Sequence, residues 1–257
     1  MVRRHEATAF MAGAYVFPGG RMEDGDRESA RVLEPPRRFD DLDSAESAAF
    51  FVAAARELFE EAGVLLARDR RGSLVSLADA SAHERFMNYR AKVHGGTAVL
   101  TAILERERLS LALDALVPFA HWVTPAIDTR RFDTRFFVAR VPPGQMPVHD
   151  EKETIASGWM TARDALDRCR RDEIILPPPT WTTLRELEPF TSVEAAMTWA
   201  RNRTIERREP KFLDDRGTKM LLLAGDPLNP ARSVEPTPKE TRFILTNGRW
   251  RAEAAPT

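Results

Sequence analysis

The string Arg56-Glu57-Leu58-Phe59-Glu60-Glu61-Ala62-Gly63-Val64 holds the residues best suited to chemistry. On a helix, Glu57, Glu60 and Glu61 stand at i, i+3 and i+4, so three carboxylates share one face. Like charges at that spacing cost about a few tenths of a kcal/mol each. Glu60 and Glu61 also lie near the C-terminal end, where the helix dipole disfavours negative charge. Arg56 pairs with Glu60 at i, i+4, but one arginine cannot neutralise three carboxylates. A bound divalent cation would resolve the conflict, and clustered carboxylate oxygens suit Mg²⁺ or Mn²⁺. A solvated acidic helix face is the competing reading, and spacing alone leaves both open.

The helix that carries these groups is well marked. Asp43 is its N-cap, and Glu46 completes a variant capping box. Phe51, Ala54 or Ala55, Leu58 and Ala62 form the expected buried stripe, and Gly63 ends the helix. Upstream, residues 14–17 read as a short strand running into Pro18-Gly19-Gly20. The two glycines permit close backbone approach to a ligand or metal, and their carbonyls offer a non-carboxylate ligand. A plain tight turn is the alternative. Residues 21–43, polar and broken by Pro35-Pro36, read as a long loop.

Downstream, residues 79–107 read as two helices separated by Gly95-Gly96. Strands are expected at 119–124, 135–141 and 153–160, and Thr161 caps a helix over 162–171. Pro177-Pro178-Pro179 predicts an extended kink before a helical stretch at 180–203. The proline-punctuated stretch 206–240 reads as a linker, and 242–252 as a hairpin turning at Asn247-Gly248. Strands and helices are mixed rather than strictly alternating, which predicts an α/β or α+β fold with a mixed sheet.

The chain of 257 residues carries 38 basic and 39 acidic residues, a net charge of -1. That balance gives no electrostatic case for nucleic acid or an acidic membrane. Five lysines against 33 arginines make most cationic contacts planar forks. The single cysteine, Cys169, rules out an intramolecular disulfide framework and cysteine-based metal clusters. With no apolar run of spanning length and no secretory leader read at the N-terminus, a cytoplasmic protein is expected.

Tyr15-Val16-Phe17, Pro18-Gly19-Gly20 and the string 56–64 together resemble the Nudix box: a glycine, five residues, a glutamate, seven residues, then REUxEExGU with U aliphatic. The second half matches at every specified position. In the first half, five residues after Gly20 comes Asp26 instead of glutamate, and 29 residues (27–55) replace seven, an insertion of 22. A subgroup of Nudix hydrolases that includes a peroxisomal coenzyme A diphosphatase carries its insertion at this point. The chain is similar to that subgroup in FMAGAYVFPGG (10–20), AARELFEEAGVLL (54–66), HWVTP (121–125), RRFDTRFFV (130–138) and LPPPTWTTLREL (176–187).

The resemblance implies a Nudix α-β-α sandwich with helical insertions. It gives a domain over 1–205, with an insertion at 27–48 and the helical elaboration at 79–107, followed by an extension over 206–257 ending in the hairpin. A strand usual ahead of the glycine turn falls before Met1, and the 242–252 hairpin is a candidate to cover that edge. The implied activity is hydrolysis of a diphosphate linkage, in coenzyme A or acyl-coenzyme A, by water attack at phosphorus with Mg²⁺ or Mn²⁺ as cofactor. ADP-ribose or NADH cleavage and a non-catalytic nucleotide-sensing module are the alternatives. The partner is a nucleoside-diphosphate-containing small molecule, and a homodimer is left open. The implied metal ligands are Gly20, Glu57, Glu60 and Glu61, with Arg56 orienting a glutamate. Glu153, with Glu151 beside it, is the candidate general base, the alternative being surface charge. Arg130 and Arg131 are candidates for the diphosphate or a ribose phosphate, against pairing with Asp128 or Asp133. Asp26, shorter than the usual glutamate, is assigned no role. Trp122 and Phe132 are read as core, His121 and His149 as non-ligands, and Cys169 as incidental.

Overall fold

The computed structural model describes residues 1–5, 11–96, 98–125, 131–148, 154–233 and 238–256, with backbone alone at 154 and 155. The elements run β1 (Val2–Arg4), β2 (Tyr15–Val16), α1 (Asp24–Ala30), α2 (Ser44–Ala62), β3 (Ala67–Arg68), α3 (Ala80–His94), α4 (Leu100–Glu107), β4 (Ser110–Leu111), β5 (Val117–Val123), β6 (Asp133–Val138), β7 (Thr154–Ser157), α5 (Ala162–Arg170), α6 (Pro178–Leu187), α7 (Val193–Asn202), β8 (Arg207–Arg208), β9 (Lys211–Asp215), β10 (Thr218–Leu222), β11 (Arg242–Thr246) and β12 (Arg249–Glu253). The fold is mixed α/β. No described helix is long and apolar enough to cross a membrane.

The chain divides into two compact units. The first comprises residues 1–12, 17–116 and 139–158. Its centre is α2, which begins where expected: the Asp43 carboxylate accepts from the Glu46 amide at 2.8 Å. The Glu46 carboxylate takes no part in a reciprocal box; it holds Arg27 at 3.2 Å. Gly63 terminates the helix at φ 67°, its amide returning to Phe59. The buried stripe is rotated from expectation, with Phe51, Ala55 and Phe59 inside and Leu58 only half-buried. The cause is tertiary. Helices α3 and α4, separated by Gly95-Gly96 as expected, bring Phe86, Val93, Leu100 and Leu104 into one apolar cluster with Phe59.

The expected loop over 21–43 contains the short helix α1. The rest is pinned by buried Phe39, stacked on Phe51 at 5.8 Å and edge-on to Phe50 at 6.0 Å. A strand at the N-terminus is present: β1 pairs antiparallel with β7. The hairpin therefore does not substitute for it, and joins a different sheet.

In the second unit β5 is buried at all seven positions. It pairs antiparallel with β6 and parallel with β8. Helix α7 covers it, with Trp199 6.1 Å from Phe119. The expected proline kink is instead a helix start, because Pro178 and Pro179 occupy the first turn of α6, where no amide donor is needed. Much of the expected linker over 206–240 forms strand. β9 and β10 join the hairpin β11–β12 in a four-stranded antiparallel sheet, and Trp181 of α6 packs edge-on against Phe243 at 5.7 Å.

Candidate active site

Arg56 stands at the centre of the carboxylate face of α2, with its side chain 8% exposed. Its five N–H donors are all engaged. Nε and one terminal nitrogen bind the two oxygens of Asp26, each at 2.9 Å. The same terminal nitrogen reaches the Arg21 carbonyl at 2.7 Å. The other nitrogen donates to Glu57 Oε1 at 2.9 Å and Glu60 Oε1 at 3.2 Å. One positive charge is therefore shared among three carboxylates. Burial works against the guanidinium charge, but the hydrogen bond to Asp26 and the field of its carboxylate neighbours more than offset this and raise its pKa. The Glu60 pKa is raised too, here by burial, which disfavours its charged form and which Arg56 only partly offsets.

Asp26 is the residue that sequence reasoning passed over. It is 3% exposed, and the bidentate fork to Arg56 spans 30 residues of chain. Its Oδ2 also accepts from the Glu23 amide at 2.8 Å, so the first turn of α1 holds it in place. Asp26 lies in the first turn of α1, which carries the aspartate to the guanidinium. The signal was present, since the count from Gly20 lands on an acidic residue.

The glycine turn closes against the same face. The Gly19 amide donates to Glu61 Oε2 at 2.9 Å. A Cβ on Gly20 would collide with Glu57 Oε1 and stand 2.7 Å from Oε2, so any other residue here would have to push the Glu57 carboxylate aside. Glu61 is buried at 4% exposed. Gly20, Arg56, Glu57, Glu60 and Glu61 are thus brought together, with Gly19 and Asp26 added. The donor set is oxygen throughout, the chemistry that Mg²⁺ or Mn²⁺ takes.

Arg131 belongs to the second unit and pairs with Glu209 at 2.9 Å, and Asp128 lies outside the described residues. Arg130, Glu151, Glu153 and His149 lie outside the described residues. Trp122 is buried in β5 as expected. His121, also buried, sits 2.8 Å from Asp133 through Nε2. Burial raises the Cys169 thiol pKa, which disfavours its thiolate.

The NUDT19 Nudix domain family matches residues 36–187. The chain belongs to the Nudix family. That match contains the second half of the Nudix box but starts after Gly20 and Asp26, which the hydrogen bonds and close approach described above tie to it. A solved Nudix hydrolase from Alicyclobacillus acidocaldarius superposes with a TM-score of 0.66 at 32% identity, covering 77% of this chain and 86% of that one. An acyl-coenzyme A diphosphatase NUDT19 from Xenopus laevis is 26% identical over 242 residues, covering 80% of this chain. The chain spans 63% of the length of that frog protein. The human acyl-coenzyme A diphosphatase NUDT19 is 28% identical over 297 aligned positions, covering 97% of this chain and 78% of its own. Nudix hydrolases generally need a divalent metal, and a hydrolase acting on diphosphate bonds fits this cluster.

Proposed function

We propose that the chain hydrolyses the diphosphate of coenzyme A or an acyl-coenzyme A, with Mg²⁺ or Mn²⁺ held by Glu57, Glu60, Glu61 and the Gly20 carbonyl. The observation that carries the reading is the convergence of three α2 carboxylates and the glycine turn around a single, fully engaged arginine. The substrate class is supported by the frog and human relatives, which bear the name acyl-coenzyme A diphosphatase.

Bound at this cluster, a divalent cation would offset the charge of the diphosphate and lower the pKa of the attacking water. The chain's own residues fix the geometry. Asp26 holds Arg56, Arg56 orients Glu57 and Glu60, and the Gly19 amide orients Glu61. Water adds to one phosphorus, the bond from that phosphorus to the bridging oxygen breaks, and two phosphomonoesters leave. Glu153 is assigned as the base that takes the water's proton, with Glu151 as its neighbour. Arg130 and Arg131 are assigned to the substrate's phosphates, Arg131 exchanging Glu209 for them. The single free cysteine suits a reducing, cytoplasmic setting.

The test is a cleavage panel with Mg²⁺ and with Mn²⁺ over coenzyme A, acyl-coenzyme A, ADP-ribose, NADH and nucleoside triphosphates, read by chromatography of the products. Turnover is expected to be fastest on the coenzyme A compounds. Preference for ADP-ribose or NADH would refute the substrate, and nucleotide binding without any cleavage would refute the enzymatic reading.

A further inference from the structure

The apolar contact between α2 and the α3–α4 elaboration is crossed by one buried cation, Arg90, which is 9% exposed. Its Nε donates to the Glu60 carbonyl at 2.8 Å, and a terminal nitrogen donates to the Val148 carbonyl at 2.8 Å. The end of a helix leaves carbonyls with no intrahelical donor. Here the amides of Gly63 and Val64 turn back to Phe59 and Leu58. The Glu60 carbonyl takes Arg90, and the Ala62 carbonyl takes the Val148 amide at 2.9 Å. Val148 is therefore tied twice, directly to the helix end and through Arg90.

The segment arriving at Val148 is braced as well. Gly144 sits at φ 74°, and a Cβ there would clash with the Ser76 hydroxyl and stand 2.9 Å from Ala78. Buried Gln145 then accepts from the Leu65 amide at 2.8 Å and donates to the Leu65 and Val75 carbonyls at 2.9 and 2.8 Å. From Val148 the chain continues to Glu151 and Glu153 before re-entering the described fold at β7.

We infer that Arg90 is a positioning residue for the carboxylate site. It fixes the last turn of α2, where Glu60 and Glu61 sit, and seats Val148 against that turn. Through Arg90 the elaboration braces the end of the helix that carries the site. Arginine is required because its planar fork spans two carbonyls from different segments, which a lysine point charge does not. Its charge also sits at the negative end of the α2 dipole, beside the carboxylates that end disfavours. The kinetic readout of this inference rests on the proposed hydrolysis; its metal-binding readout does not.

The experiment compares Arg90→Met, Arg90→Lys and Arg85→Gln in kcat, KM, Mn²⁺ affinity by electron paramagnetic resonance, and circular dichroism. Arg85 lies on the same helix but pairs at the surface with Glu107 at 3.1 Å. For Arg90→Met, kcat falls by roughly 10–100-fold with KM nearly unchanged, and Mn²⁺ affinity drops by about tenfold or more. Arg90→Lys falls between it and wild type, and Arg85→Gln matches wild type. A folded Arg90→Met with kcat and Mn²⁺ affinity within about twofold of wild type overturns the inference, as does an equal loss in Arg85→Gln. Should Arg90→Met not fold, Arg90→Lys decides by the same two readouts. Should wild type cleave nothing in the panel, the proposed function fails, and the Mn²⁺ affinity of the Arg90 variants still decides this inference.

Discussion

Among the described residues, each unit buries an aspartate in the fork of an arginine, and the two pairs have nearly the same geometry. Asp26 meets Arg56 with both contacts at 2.9 Å, and Asp226 meets Arg242 with both at 2.9 Å. Their surroundings differ. Asp226 is otherwise completed by neutral donors, the Leu228 amide at 2.9 Å and the Thr241 hydroxyl at 3.1 Å, so one charge meets one charge. Arg56 spends its remaining nitrogen on Glu57 and Glu60, so negative charge exceeds positive. The first arrangement closes a fold; the second holds carboxylates that a cation would satisfy. The contrast teaches that a buried fork says little about function until its further neighbours are counted.

The contrast breaks most sharply at the carboxylates. Glu60→Gln and Glu61→Gln should each lower kcat by about 100-fold or more without lowering Tm, since each removes a ligand and a repelled charge together. Steady-state kinetics beside thermal melts check this; a fall in Tm with kcat intact would make the cluster structural. Asp26→Ala should lose both quantities, roughly 10–100-fold in kcat and about 3 kcal/mol of stability, because it frees a buried guanidinium that aims two glutamates. Gly20→Ala should cost about tenfold in kcat at near-constant Tm, because its Cβ displaces Glu57. Asp226→Ala should leave kcat per folded molecule at the wild-type value while costing about 3–5 kcal/mol, seen in denaturant unfolding.

The last variant carries a pH signature. Burial raises the Asp226 carboxyl pKa, but the hydrogen bonds from Arg242, Leu228 and Thr241 outweigh it and hold the carboxyl below its usual range. An unfolded aspartate titrates near 3.9, so this stabilisation is complete above about pH 4 and disappears as pH falls through the lower folded value. The Tm difference between wild type and Asp226→Ala should therefore be constant near neutrality and close in acid. A difference that persists unchanged to about pH 2 would assign the contribution to packing instead.

What the sequence disclosed follows from how local each signal is. Helix α2 was legible because its caps, Asp43 and Gly63, act on their own neighbours. The Asn247-Gly248 hairpin was legible for the same reason, both residues adopting positive φ as that turn requires. Helix α1 was not, because its seven residues, DGDRESA, carry no apolar stripe. β9 and β10 were hidden by the charges of Lys211, Asp214, Asp215 and Lys219 at their exposed positions. In the candidate site, the three glutamates were readable from helical spacing. Asp26, Arg90 and Gln145 were not, since their partners lie 30 or more residues away and only the folded chain brings them together.

The account stands on the claim that the carboxylate excess around Arg56 holds a divalent cation, and direct Mn²⁺ binding tests that claim without any assumption about substrate. Wild type and Asp226→Ala should bind Mn²⁺ with equal affinity, and Glu60→Gln and Glu61→Gln should each bind it at least about tenfold more weakly. Equal affinity in the glutamine variants, or no binding by wild type, would contradict it.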